Sequence, residues 1–348
     1  MTGAVSLRVV LVGLGVGVAL TPAVIAGLRR SGTLDVPSAR SLHFAPIPRG
    51  AGIALIVATA AAALTTGEHS RAGWIVLVAA VVLGAIGIIE DLRGLHPVTR
   101  LGLQSATALA AALTFDQGGA SSPRHVFQVV AVSGAVIYLC NAVNFMDGIN
   151  GISAAQAVAG GGCLAIYGRI EHISFLQGGG LALVGAALGF LPFNFPKAKV
   201  FLGDSGSYFI GAWLSLLVGA AFIDGLNPFV LLAPLALYLA DTSTTMLRRL
   251  LRHEPLMQPH RDHAYQRLVS AGWSHTKVSA GVFALVVLHG GLALSLREAS
   301  LTLQVVGALV VAATIASYLA LPSMVAASHP SEDGKSPGTG RSILTRRR

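Results

Sequence analysis

The chain has 348 residues, of which 53% are hydrophobic and only 11% charged, and its mean hydropathy is +0.70. Soluble domains carry about 25% charged residues, so a water-soluble enzyme is excluded and an integral membrane protein is expected. The net charge of +9 follows from membrane topology, set out next, and gives no ground for a nucleic-acid partner.

A membrane-crossing helix needs about 20 mostly apolar residues. Eleven candidate spans follow in chain order: 5–28, 50–66, 72–89, 101–116, 125–143, 153–169, 175–193, 206–223, 228–247, 276–296 and 301–321. The first is too long for a signal-peptide core and lacks a charged leader and a cleavage site, so it reads as an anchor. With the amino terminus outside, only Arg8, Arg71, Arg124, Arg169 and Arg297 face outward. The rest of the 24 lysines and arginines, Arg248, Arg249, Arg252 and Arg346-Arg347-Arg348 among them, face the cytoplasm. That asymmetry predicts an all-α polytopic membrane protein of about 11 transmembrane helices, amino terminus outside and carboxyl terminus cytoplasmic. One membrane domain spans 1–325, and a disordered basic tail spans 326–348. Cys140 and Cys163 fall in apolar spans and read as buried, unreactive thiols.

Under this topology the acids that sit among Gly, Asn, Ser and His gather on the inner loops. Loop one contains Asp35, Arg40, His43, Pro46, Pro48, Arg49 and Gly50. Its prolines stiffen it, and Arg40 and Arg49 can fork onto phosphate oxygens; a basic topogenic loop is the plainer reading. Loop two opens on Glu90-Asp91, a carboxylate pair that repels unless a cation or a shared proton relieves it. Alone it reads equally well as a helix stop. Loop three, Asn141-Ala-Val-Asn144-Phe-Met-Asp147-Gly148-Ile-Asn150-Gly151, places Asn141, Asn144 and Asp147 at helical spacing. Such a stripe can hold a sugar, a uracil edge or a hydrated metal.

Loop four runs through Lys199 to Gly203-Asp204-Ser205-Gly206-Ser207 and opens the next span. Asp204 can ligate Mg²⁺ while free helix-start amides or Lys199 meet an anion; a simple helix cap is the alternative. Asp241, before Arg248-Arg249, reads as a helix-end carboxylate paired with an arginine. Loop five holds His260-Arg261-Asp262-His263-Ala-Tyr265-Gln266-Arg267. On a helix, His260, His263 and Arg267 would share a polar face suited to phosphate, and no third ligand supports zinc. A solvated interfacial helix with Trp273 at headgroup level is the bland reading.

Taken together, these loops resemble the polyprenyl-phosphate N-acetylhexosamine-1-phosphate transferase family, the MraY/WecA type of glycosyltransferase family 4, and more its surface-polysaccharide branch. The resemblance covers about residues 35–275. It rests on Asp35…Arg40-Ser-x-His43…Pro46-x-Pro-Arg-Gly50, the acidic pair 90–91, Asn141-x-x-Asn144-x-x-Asp147-Gly-x-x-Gly151, Gly203-Asp204-x-Gly-Ser207 and His260-Arg-Asp-His263-x-x-x-Arg267-Leu, in order on successive inner loops. Glu90 stands where the family usually has Asp, Asn150 where a second Asp is frequent, and the histidine run is His-x-x-His.

The resemblance implies transfer of N-acetylhexosamine-1-phosphate from a UDP-sugar to undecaprenyl phosphate, releasing UMP, in a bacterial inner membrane. It implies Mg²⁺, with Mn²⁺ as a substitute, and a dimer is common in the family. Asp204 and Asp147 are then the metal candidates, and Asp91, Asp147 and Glu90 the catalytic ones. Arg40, His43, Arg49, Asn141, Asn144, Asn150, Lys199, His260, Arg261, His263 and Arg267 are the substrate-binding ones. UDP-GlcNAc is the default donor, and the His-Arg-x-His-x-Tyr-Gln run makes a 6-deoxy sugar such as FucNAc or QuiNAc a second candidate. The competing class is a transporter or flippase of an anionic lipid-linked or nucleotide substrate, whose polar site would lie near the bilayer midplane.

Overall fold

A computed structural model describes residues 1–37, 45–67, 70–115, 122–255 and 260–328. Arg40 and His43 therefore lie outside the described residues, as does the tail from 329 onward. The order begins with α1 (Gly3–Ser31), a two-residue antiparallel ribbon of β1 (Leu34–Asp35) and β2 (Ile47–Pro48), and α2 (Gly52–Ala63). Next come α3 (Arg71–Arg93), α4 (Pro97–Phe115), α5 (Pro123–Met146), α6 (Ile152–Ile170), α7 (Ser174–Asn194) and α8 (Gly203–Ile223). The carboxyl-terminal part holds α9 (Pro228–Leu232), a 3-10 turn (Ala233–Leu235), α10 (Ala236–Leu251), α11 (Ala264–Ser270), α12 (His275–Ser295) and α13 (Leu301–Ser328).

Apolar composition makes these segments helical, and polar residues at their ends set where they start. Ser70, Ser122 and Ser274 each accept a backbone N–H from the first turn of α3, α5 and α12 (3.1, 3.1 and 3.2 Å), which satisfies donors that a helix start leaves unpaired. Pro123 and Pro228 occupy first-turn positions, where a missing N–H costs nothing.

Every predicted span falls on a helix, but the eleven differ in kind. Among the described residues, eight segments are long and apolar enough to cross a membrane: α1, α3, α5, α7, α8, Pro228–Leu251, α12 and α13. The other three are α2, which has only 12 residues, and α4 and α6, which have 19 each but are diluted by Thr99, Arg100 and Gln104, or by Gln156 and Gly160-Gly161-Gly162. Helix α8 forms the centre, with 89% of its apolar window buried. It packs along α3 and α5 and against α2. The carboxyl ends of α3 and α5 thereby meet the amino ends of α2 and α8 at one end of the bundle.

Candidate active site

Two close approaches build that end. The strand leading into α2 is strapped to the segment before α8: Phe201 N–H donates to Pro48 O (2.8 Å), and Gly52 N–H donates to Leu202 O (2.8 Å). A Cβ on Gly52 would overlap the backbone of Gly206, so the two helix starts touch only because both are glycine. Gly203 has φ +78, and its Cβ would lie 2.6 Å from Asp91 Oδ2, so glycine is required on both counts.

The result is a charged cluster. Asp91, at the end of α3, accepts the N–H groups of Asp204 and Ser205 at the start of α8, both at 2.9 Å. The anion expected at those amides is thus a side chain of the protein itself, sitting at the positive end of the α8 dipole. Arg49 bridges the two acids, with Nη2 2.8 Å from Asp204 Oδ1 and Nε 3.3 Å from Asp91 Oδ1. Burial alone would lower the pKa of Arg49, but Asp204, Asp91 and Asp35 outweigh it and hold the guanidinium firmly charged. Asn144 Nδ2 donates to Asp204 Oδ1 (2.7 Å) and to Ser207 Oγ (3.0 Å). Asp147, the residue just after α5, accepts from Ser153 Oγ (2.7 Å) at the start of α6. Burial pushes its carboxyl up to about 7, partly offset by Ser153 and Arg49.

The other expected site residues divide into neighbours and outsiders. Glu90 points away from its partner: it accepts Leu95 N–H (2.8 Å) and sits 3.6 Å from Arg100. The repulsion expected of the adjacent pair is removed by geometry, since the two side chains serve different helix ends. Asn141 donates to Gln104 Oε1 and to Ile137 O (both 2.8 Å), which ties α5 to α4. Helical spacing therefore did not put Asn141 and Asn144 to one use. Asn150 donates to Pro196 O (3.0 Å), and Gly151 N–H donates to Asn194 Oδ1 (2.7 Å), so these amides join loops three and four. Lys199 is exposed, its ammonium 5.8 Å from the centre of the Phe193 ring.

Loop five is organised differently from the helical face expected. Helix α11 starts only at Ala264, so His260 and His263 precede it, and Arg267 reaches Ser323 of α13 (3.0 Å). His263 stacks on Phe145, two residues before Asp147, with ring centroids 6.3 Å apart, and His260 lies 5.1 Å from His263. Arg261 is half-buried in the same turn. Burial first, then His263 and Arg249, lowers the pKa of His260. Among the described residues Asp241 is not paired with an arginine. It is wholly buried and bonded to His263, Ala264, Tyr318 and Thr245, whereas Arg249 pairs with Asp262 and, at 3.0 Å, with Glu254. Sequence reasoning missed Ser153, Asn194 and Tyr318 as site supports; Ser153 and Asn194 flank loops three and four, whereas Tyr318, within α13, carried no sequence signal.

Among the described residues no three His, Cys, Asp or Glu side chains form a ready-made metal cage. Mg²⁺ does not need one, because it is commonly held by one or two carboxylates plus substrate phosphates and water. The donors here are hard oxygens, and Oδ2 of Asp204 and of Asp147 accept no hydrogen bond among the described residues. That chemistry fits Mg²⁺ or Mn²⁺.

Fold and site together define a polytopic membrane protein with a charged, oxygen-rich cluster at the ends of its central helices. Residues 73–221 match the family described as Glycosyl transferase family 4. A probable undecaprenyl-phosphate N-acetylglucosaminyl 1-phosphate transferase of Bacillus subtilis is 26% identical over 82% of this chain and 83% of its own length. A decaprenyl-phosphate N-acetylglucosaminephosphotransferase of Mycolicibacterium smegmatis is 28% identical over 84% of this chain and 82% of its own. A phospho-N-acetylmuramoyl-pentapeptide-transferase of Listeria monocytogenes is 28% identical, over 45% of this chain and 58% of its own length. The central helices of the chain are thus similar to glycosyl transferase family 4, and most of its length is similar to these polyprenyl-phosphate transferases.

Proposed function

We propose that the protein transfers N-acetylhexosamine-1-phosphate from a UDP-sugar to undecaprenyl or another polyprenyl phosphate, at the cytoplasmic face of a bacterial plasma membrane. The observation that carries this reading is the meeting of Arg49, Asp91, Asn144, Asp147 and Asp204 at one end of the bundle. Its relatives named for polyprenyl-phosphate sugar-phosphate transfer support the substrate class.

In the reaction an oxygen of the lipid phosphate attacks the phosphorus next to the sugar. A new phosphoanhydride forms, the old one breaks, and UMP leaves with the bonding electrons. One anhydride replaces another, so the exchange is nearly balanced. Positioning and charge neutralisation then dominate the catalysis. The lipid phosphate is largely dianionic near pH 7, as its second pKa is about 6, so a strong general base is unnecessary. Asp204 and Asp147 would hold Mg²⁺, which supplies positive charge to the diphosphate when bound. Arg49 adds a fixed guanidinium beside them, and Asn144 orients Asp204. Asp91 anchors the start of α8 and thereby fixes Asp204. His260 and His263 border the pocket through Phe145 and suit a diphosphate.

A transporter would place its polar groups near the midplane; the charged cluster described above lies at helix ends. Purified protein in detergent, with undecaprenyl phosphate, Mg²⁺ and a panel of radiolabelled UDP-sugars that includes GlcNAc, FucNAc and QuiNAc, should move label into the lipid extract for one donor. No labelled lipid with any donor would overturn the reading.

A further inference from the structure

One buried carboxylate outside the pocket has more partners than a fold needs. Asp241, in α10, has no solvent exposure. Both its oxygens accept the N–H of Ala264 (3.1 Å each), Oδ2 accepts the hydroxyl of Tyr318 (2.9 Å), and Oδ1 accepts Thr245 Oγ1 (3.2 Å). Among the described residues its remaining hydrogen-bond partner is His263 Nδ1, at 3.2 Å from Oδ1. With Asp241 ionised its oxygens only accept, so Nδ1 carries the hydrogen whether the ring is neutral or charged. That leaves Nε2 as the one ring nitrogen able to engage a ligand.

The ring's position is fixed as tightly as its hydrogen. It stacks against Phe145 (6.3 Å) and Tyr265 (5.8 Å). Tyr265 OH donates to Phe145 O (2.9 Å), and a Cβ on Gly148 would collide with that hydroxyl. The loop-five turn is therefore seated on the stretch that carries Asn144 and Asp147. From this geometry we infer that Asp241 is a positioning residue: it locks His263 in one tautomer and one orientation, with Nε2 presented to the phosphate groups of the substrate. The inference rests on the transferase reading of the pocket. It assigns Asp241 an action through His263 rather than any contact with substrate. Outer partners of this kind change activity by about 10–100-fold when removed from metal-binding histidines, and the same logic of orientation applies here.

Two measurements test it on the full-length protein in detergent. The first is the ¹⁵N shift of the His263 ring, assigned by its loss in His263→Gln. A protonated Nδ1 in the wild type, lost in Asp241→Asn, is the expected result; an unprotonated Nδ1 in the wild type overturns the inference even if the variant does not fold. The second is a double-mutant cycle on kcat/KM. Asp241→Asn should lower it about 10-fold or more but add less than about twofold once His263 is already Gln, since a positioning effect vanishes with its target. An equal loss in both backgrounds marks Asp241 as merely structural and overturns the inference, as does wild-type activity of Asp241→Asn. Absence of transfer by the wild type counts against the transferase reading instead, and the nitrogen shifts then still decide the Asp241–His263 arrangement.

Discussion

Asp204 and Asp241 are both carboxylates close to Asn144–Asp147, yet the protein treats them oppositely. Asp204 keeps 13% of its side chain exposed and uses one oxygen for Arg49 and Asn144, while its second oxygen accepts nothing among the described residues. Asp241 has no exposure and spends both oxygens on donors from α10, α11 and α13. A half-used carboxylate beside solvent can accept a cation without leaving partners orphaned. A saturated one cannot, because each donor it abandons becomes a buried unpaired group costing about 1–3 kcal/mol. The difference separates a group that binds from a group that builds, and residue type alone does not reveal it.

The contrast can be broken in several ways, beginning with the largest effect. Asp91 stands on both sides of it, holding α8 and touching Arg49. Asp91→Ala should cut transfer by about 10²-fold or more, as loss of a preorganised electrostatic contact does. It should also destabilise by about 1–3 kcal/mol because two amides lose their acceptor. Initial rates and a thermal melt read the two losses separately, and a stable, active variant would contradict the placement. Next, Asp241→Ala should lower the melting temperature well below that of Asp204→Ala, which ought to melt close to the wild type because Arg49 keeps Asp91. The reverse order would erase the distinction drawn above.

A third effect concerns pH. Asp147 is raised to about 7, above the ordinary carboxylate value. Its neutral form is favoured in the fold, so the metal-free protein should lose stability as pH climbs from about 4 to about 7, with no further loss from this group above that. A divalent ion must displace that proton. Mn²⁺ affinity, followed by electron paramagnetic resonance, should accordingly rise up to about tenfold from about pH 6 to about pH 8. A flat profile would remove Asp147 from the metal site. Smallest of all should be Glu90→Gln: the amide oxygen can still accept Leu95 N–H, and turnover should stay within about threefold. A loss as large as that of Asp91 would return Glu90 to the chemistry.

Much of this was legible from the chain alone. Helices over all eleven apolar spans follow from composition, and Asp91, Asp147 and Asp204 stand out because charge at span ends next to Gly, Asn and Ser is seldom accidental. Less legible was the partner of each group. Nothing in Glu90-Asp91 says that one side chain turns to α4 and the other to α8; the split arises from α3 packing on α8 through Gly87. Likewise Asn141 and Asn144 share a helical face, but α4 lies against one and α8 against the other. Asp241 looked like a partner for Arg248 or Arg249 because sequence shows only near neighbours. Its true donors, at 263, 264 and 318, come from elements that fold back over α10. Short-range pattern finds polar groups; long-range packing decides which of them stay available.

Magnesium-dependent UMP release by purified Asp204→Ala, assayed with undecaprenyl phosphate and the accepted UDP-sugar, tests the account most directly. The half-used carboxylate at the start of α8 predicts a rate at background while the protein remains folded. Turnover near that of the wild type would show that the pocket's metal and diphosphate are held elsewhere.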